Sequence, residues 1–294
     1  MTRSGFVALA GRPNAGKSTL VNAIVGSKVA IVSEKPQTTR RAIRGVATGE
    51  GWQLVLVDLP GVQRPRDVLT ERMQHRVEHE VEEADAALVV LNAEQGVGGP
   101  GDRFIAAGLE GTGAPVVAAV NKVDRTDRAR TAEALAAAAE LLPGAEVFPV
   151  SAKTGAGVAP LVAHLVSVLP EGPLYFPPEQ ASDAPLEVEL GELVREQVLA
   201  RARQEVPHAV EVEVEELERP RDDVVVVRAR VWVETESQKG ILIGAGGRMI
   251  KAIGTAARRE IEARLETRVH LDLAVRVRRR WRADEGLLDR LGID

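Results

Sequence analysis

Gly11-Arg12-Pro13-Asn14-Ala15-Gly16-Lys17-Ser18 decides how the rest of this chain is read. The eight residues fit G-x-x-x-x-G-K-[ST], and so do their surroundings. Before them, Phe6-Val7-Ala8-Leu9-Ala10 is an apolar run that predicts a buried strand; after them, Thr19-Leu20-Val21-Asn22-Ala23-Ile24-Val25 predicts the start of a helix. Strand, glycine-rich turn and helix N-terminus make a phosphate cradle, because backbone N–H groups from Gly11 to Thr19 converge there and the helix dipole favours negative charge. Lys17 then reaches the terminal phosphates, and Ser18 binds Mg²⁺. The plain alternative is a glycine-rich turn that fits by accident, and the strand–turn–helix setting weighs against it. The reading implies a nucleoside triphosphate as ligand.

With 294 residues, 45% of them hydrophobic, the chain is long enough for two cored domains. It has no cysteine, which excludes disulfides and Cys-ligated metal and fits a reducing compartment. No apolar run approaches the roughly 20 residues that span a bilayer, and Met1-Thr2-Arg3-Ser4 leads straight into the first strand without a signal peptide. These features predict a soluble, cytoplasmic protein, with peripheral contact at the inner face of the cell membrane left open. The net charge of −5 hides an asymmetry: from Gly240 to Arg282 basic residues far outnumber acidic ones, and local charge is what steers a polyanion.

Near-continuous apolar runs recur at Gln53–Asp58, Ala87–Leu91, Pro115–Val120 and Glu146–Val150, as in strands buried on both faces of a mostly parallel sheet. Ala129–Leu141 is the clearest helix between them, and Thr48-Gly49-Glu50-Gly51 predicts a hairpin that makes one edge strand antiparallel. The fold class expected for residues 1–172 is therefore α/β. Prolines at 170, 173, 177, 178 and 185 mark a linker over residues 173–185. Residues 186–294 then predict a smaller α+β domain with a C-terminal tail, in the order α-β-β-α-α-β: a helix from Leu186 to Arg203, strands over Val210–Glu216 and Val224–Val233, a helix from Arg248 to Leu265 and a last strand over Val269–Val277.

Four further segments fall at strand ends, where α/β folds place their ligands. Asp58-Leu59-Pro60-Gly61 reads as a Walker B element, with Asp58 holding Mg²⁺ through water and the Gly61 N–H meeting the γ-phosphate. Thr39, in Thr38-Thr39-Arg40, offers a hydroxyl to the same Mg²⁺. Asn121-Lys122-Val123-Asp124 and Ser151-Ala152-Lys153 choose the base. Asp124 accepts from the N1–H and 2-amino group of guanine, donors that adenine lacks. Asn121 donates to N7, Lys122 lays its stem over the ring, and the Ala152 N–H meets O6. A site built to hydrogen-bond its ligand rejects the analogue that leaves its polar groups unpaired. N-K-x-D alone is a weak pattern; in order after the first two motifs it points to GTP and GDP.

These segments, with Pro36-Gln37-Thr38-Thr39-Arg40, resemble the five G-motifs of translation-factor-type GTPases. Leu174-Tyr175-Phe176-Pro177, Glu205-Val206-Pro207-His208 and Trp281 with Leu287–Asp294 make the chain similar, end to end, to the Era family of bacterial GTPases. One departure is Leu59, where that family has Thr. The Ras-like position for a water-orienting Gln holds Val62, and Gln63 is one residue too late. In related GTPases with an apolar residue there, an Asn at the Asn14 position helps bind K⁺, a cation that would offset transition-state charge. Lys17, Thr39, Gly61 and Asn14 are thus the expected catalytic set.

Gly244-Ala245-Gly246-Gly247 fits the G-x-x-G loop of a KH domain, which clamps a single-stranded backbone, and Arg248 and Lys251 follow it. Ile241, Ile243, Met249 and Ile250 are the apolar neighbours that would receive bases. The resemblance implies a type II KH domain that binds the 3′ end of small-subunit ribosomal RNA, in a monomer that assists maturation of the small ribosomal subunit. Arg276, Arg278 and Arg280 alternate, which predicts one basic face along the last strand, either neutralising phosphate or simply solvated. Trp281 is expected to pack rather than stack. The rival from another class is a membrane-associated signalling GTPase whose basic C-terminal face meets anionic lipid, but the chain carries no lipidation motif for it.

Overall fold

Val7 and Leu9 bury their side chains on one face of the first strand, and Ala8 and Ala10 on the other. That alternation of wholly apolar faces is what a strand needs to sit inside a two-sided α/β sheet. A computed structural model describes residues 2–293 apart from 36, 62–64 and 203–205, and divides the chain into a unit that reaches Asp183 and a second that comprises Ala184–Ile293 together with Asp67–Leu69. The expectations placed on Pro36, on Val62 and Gln63, and on Arg203 and Glu205 lie outside the described residues.

In the first unit the order is β1 (Arg3–Ala10), α1 (Lys17–Val25), β2 (Ile43–Gly49), β3 (Trp52–Asp58), α2 (Val68–Glu83), β4 (Ala86–Asn92), α3 (Pro100–Leu109), β5 (Val116–Asn121), α4 (Arg128–Leu141), β6 (Glu146–Pro149) and α5 (Val158–Val168). The strands form one sheet in the order β2-β3-β1-β4-β5-β6. Only the β2–β3 pair is antiparallel, closed by the turn at Gly51, and the other pairs run parallel. Leu20, Val21, Leu161 and Leu165 of α1 and α5 cover one face; Val77, Val81, Ile105, Leu109, Ala134 and Ala138 of α2, α3 and α4 cover the other. All the parallel strands end on the same side, so their C-terminal loops meet there.

The segment read as a linker is stitched to this unit as far as Asp183. Gln53, fully buried, accepts the N–H groups of Tyr175 and Phe176 at 2.8 and 3.0 Å and donates to the Phe176 carbonyl at 2.9 Å. Tyr175 meets the edge of Phe6 with ring centroids 4.9 Å apart. Farther on, the Val46 N–H donates to the Ala181 carbonyl at 2.8 Å, Gly45 bridges Ser182, and Arg44 pairs with Asp183 at 3.2 Å. The strap thereby covers the outer edge of β2, an edge that would otherwise offer unpaired backbone groups to another chain.

The second unit holds α6 (Leu186–Arg201), α7 (Val206–Ala209), β7 (Glu211–Arg221), β8 (Val224–Val233), α8 (Glu236–Ile243), α9 (Arg248–Leu265), β9 (Arg268–Val277) and α10 (Glu285–Arg290). The expected α-β-β-α-α-β order is present, with two short helices, α7 and α10, that the sequence did not announce. β7 pairs antiparallel with β8, and β8 parallel with β9. Leu190, Val194 and Val198 of α6 and Ile253, Ala257 and Ile261 of α9 pack with Val227 and Val231 of the sheet into one core. Among the described residues no helix is long and apolar enough to cross a membrane.

Candidate functional site

The phosphate end of the first site is built where β1 stops and α1 begins. Gly16 sits at φ 98°, and a Cβ there would lie 2.3 Å from Asn121 Nδ2, so conformation and space both demand glycine. Lys17 is buried, and its Nζ donates to the Gly11 and Arg12 carbonyls at 3.0 and 3.4 Å. Burial holds its pKa below the ordinary lysine value, with Asp58 partly offsetting that effect. Ala15 is buried beneath the loop, while Asn14, at φ 62°, donates from Nδ2 to the Glu34 carbonyl at 2.8 Å.

Three oxygen side chains from three separate segments converge beside Lys17. Ser18 Oγ donates to Asp58 Oδ2 at 2.6 Å, Thr39 Oγ1 donates to the same oxygen at 3.2 Å, and the two hydroxyls are 3.1 Å apart. Hard oxygen donors gathered around one carboxylate are the set that Mg²⁺ takes. Thr19, Thr39 and Gly61 line the same hollow above Lys17.

At the base end, one buried amide ties three loops together. Asn121 Nδ2 donates to the Ala15 carbonyl at 3.0 Å, and its Oδ1 accepts the N–H groups of Lys122 at 2.8 Å and Ala152 at 3.0 Å. The Ala152 N–H, expected to meet the base, is therefore used by Asn121, because a buried polar group must find a partner within the fold. Ser151 Oγ donates to Asp124 Oδ1 at 2.6 Å and fixes that carboxylate. Lys153 is exposed at the rim. Sequence reasoning missed Glu94, in the loop after β4, which approaches Lys122 at 3.9 Å and Arg125 at 3.3 Å. It also missed Asn92, whose Nδ2 donates to the Asn14 carbonyl at 3.4 Å. Their position after a strand end was the signal.

The second site lies at the junction of α8 and α9. Thr235 and Gln238 close a capping box that starts α8. The helix stops at Gly244, at φ 70° and ψ 171°, where a Cβ would lie 2.8 Å from that of Met249. Gly246 and Gly247 also have positive φ but look into open space. Arg248 folds back on the loop, its Nε donating to the Ala245 carbonyl at 3.2 Å, and opens α9. Ile241 is 42% exposed, whereas Ile243, Met249 and Ile250 lean partly on the core. An open groove runs from there between α9 and β9, with Ile250, Gly254, Leu271 and Leu273 inside it and Lys251 and Arg258 along it. The β9 residues were missed; their period-2 spacing was legible, but their pairing with Gly254 was not.

The basic face along the last strand needs correction. Arg276 lies on β9, but the strand ends at Val277. Arg278 turns to Asp284, its Nε donating at 2.6 Å, Arg282 pairs with Glu234 at 3.0 Å, and Arg280 stands at φ 54° beyond the strand. Trp281 explains the break. It is fully buried, with Nε1 donating to the Ala209 carbonyl at 2.8 Å, and drawing it inward turns the chain out of the sheet. Packing, not stacking, is its role.

Comparison with known proteins matches both units. A family model described as 50S ribosome-binding GTPase matches residues 6–122, and a KH domain model matches residues 205–282. The chain is 46% identical over 296 residues to GTPase Era of Mycolicibacterium paratuberculosis, covering 99% of this chain and 98% of that protein. It is 45% identical over 295 residues to GTPase Era of Mycobacterium tuberculosis, covering 98% of each. Among solved structures, a variant of Aquifex aeolicus Era bound to GDP and AlF4⁻ superposes with a TM-score of 0.95 at 33% identity, covering 99% of both chains. Era in complex with MgGDPNP and nucleotides 1506–1542 of 16S ribosomal RNA gives 0.95 at 32% identity, covering 100% of this chain and 99% of that one.

Proposed function

Since the chain belongs to the Era family of GTPases, we propose that it is a GTP-hydrolysing switch which binds the 3′ end of 16S ribosomal RNA through its second unit and assists assembly of the small ribosomal subunit. The observation that carries this is the pairing of two sites in one chain: the Ser18–Thr39–Asp58 cluster beside Lys17, and a glycine loop that opens onto an apolar groove edged by Lys251 and Arg258. The 50S description belongs to a model of residues 6–122 alone, whereas the full-length likeness is to a protein solved with 16S RNA.

Ser18, Thr39 and Asp58 would hold Mg²⁺, which neutralises charge on the β- and γ-phosphates when bound. Lys17 carries its ammonium to the same oxygens, and Gly61 offers its N–H to the γ-phosphate. Thr39 and Gly61 both report whether that phosphate is present, which is how such loops switch. Asp124, held by Ser151, selects guanine. Asn14 supports K⁺-stimulated turnover: its amide nitrogen is committed to Glu34, which leaves the amide oxygen as a ligand for a hard cation. Equal hydrolysis rates in K⁺ and Na⁺ would sink that role.

In the second unit the glycine loop lets a phosphodiester backbone approach, and Ile250, Leu271 and Leu273 receive bases. The decisive experiment is GTP hydrolysis with and without a short single-stranded copy of the small-subunit RNA 3′ end, at low and moderate salt. Stimulation that fades with salt and vanishes in the Gly246→Asp/Gly247→Asp variant is expected. Both positions face open space at positive φ, a backbone that Asp tolerates better than most side chains, so circular dichroism of the variant checks its fold while the carboxylates repel phosphate. Binding without stimulation would reduce the RNA to an anchor, and no binding would overturn the RNA reading.

A further inference from the structure

Neither site uses the groove that runs between α2 and α3. Val77 and Val81 of α2 and Ile105 and Leu109 of α3 form its floor. α3 places the small residues Ala107 and Gly108 among these, and a Cβ built on Gly108 meets nothing within 4 Å. Phe104 stands beside it 45% exposed, an unusual place for a ring in a chain with 3% aromatic residues. The groove has a volume of about 710 Å³ and is open to solvent, so an elongated occupant can lay several apolar side chains into it. Glu78, Glu82 and Glu110 edge it, and among the described residues no Lys or Arg lines it. Gln74 and His75 approach Glu78, at 3.0 and 3.7 Å, without offsetting that sign when the His is neutral.

Both walls hang from the phosphate loop. Asp102, buried in the first turn of α3, takes the Arg12 guanidinium at 2.8 Å and the Gly98 N–H at 3.1 Å. α2 follows the loop that carries Gly61, which packs so closely on Pro13 that a Cβ would lie 2.9 Å from its backbone nitrogen.

We propose that this groove docks an amphipathic helix from a protein partner, apolar side chains down and Lys or Arg along its flanks, with a grip that differs between the GTP and GDP forms. An apolar floor with an acidic rim is the complement of such a helix and repels RNA. The nucleotide dependence rests on the switch reading; the docking does not. The test is fluorescence anisotropy on the full chain, loaded with GDP or a non-hydrolysable GTP analogue, using two labelled helical peptides of one apolar stripe, flanked by lysines or by glutamates. Nucleotide binding is measured in the same samples, so a failure of the switch is seen separately. The lysine-flanked peptide is expected to bind about tenfold tighter or more than the other, and to weaken with salt. Gly108→Trp, which fills the groove from an unstrained helical position, should abolish binding with GTP hydrolysis retained, and Glu78→Lys/Glu82→Lys should reverse the preference. Equal binding of the two peptides, binding of neither, or undiminished binding to both variants overturns the docking. Equal affinity in the two nucleotide states overturns its coupling to GTP.

Discussion

Single side chains set the chemistry of the first site. Ser151 donates at 2.6 Å to Asp124, the carboxylate proposed to read guanine. A hydrogen bond to a charged group contributes about 1.5–3 kcal/mol. Ser151→Ala should therefore weaken GTP affinity about tenfold or more while leaving Mg²⁺ dependence unchanged, as titration of a fluorescent guanine nucleotide would show; unaltered affinity would remove Ser151 from base recognition. Lys17 makes a prediction with a sign. Burial holds its folded pKa below the unfolded value, so its charge carries a folding cost at neutral pH that disappears as pH rises past that unfolded value. Phosphate oxygens favour the ammonium and raise the pKa. Nucleotide binding at alkaline pH should then take up protons, and affinity should fall as pH rises through the depressed value. Calorimetry in buffers of different ionisation enthalpy measures this directly, and zero net uptake would contradict it.

At the level of elements, α6 is held to β7 by charge as well as by apolar contact. Arg195 is fully buried, bonded to Glu192 at 2.6 Å and near Glu211 at 3.8 Å, and Glu211 is buried too. Burial alone would favour the neutral guanidinium, but the two carboxylates outweigh it and its pKa is raised. Arg195→Ala leaves two carboxylates without their cation and should cost about 3–5 kcal/mol, read as a lowered denaturant midpoint. A loss below about 1 kcal/mol would mean that water or another group already compensates them. The apolar runs made the strands legible, since an alternating buried face leaves a period in the sequence. What composition hid was packing without regular structure. Prolines over 173–185 do mark the end of helices and strands, but they say nothing of the three hydrogen bonds Gln53 makes with that segment. The arginines after Val277 misled for a similar reason: alternation suggested a strand, and the burial of Trp281, a tertiary event, ended it. Asp58 was legible because it closes an apolar run, Ser18 because it ends the glycine-rich motif, and Thr39 from the polar segment between the first helix and the second strand. The reach of Asn121 to Ala15 and Ala152 was not, since it depends on how β5 and β1 are placed in one sheet.

For the whole molecule, the nucleotide and RNA sites are proposed to influence one another reciprocally, as any linked equilibria must. The strap is proposed as the route by which that influence is carried. Asp183 pairs with Arg44, and α6 begins at Leu186, so the covalent junction between that pair and the helix is two residues long. Inserting a short Gly-Ser stretch after Asp183 should leave GTP affinity and RNA affinity at wild-type values while reducing RNA stimulation of turnover. Undiminished stimulation would show that the units communicate without that junction. In mechanical terms the leash is short. A long flexible tether would let each unit forget the other's orientation and leave only a raised local concentration. A short one keeps the two sites within a few residues of each other along the chain, and lengthening it asks whether their influence travels by that covalent route.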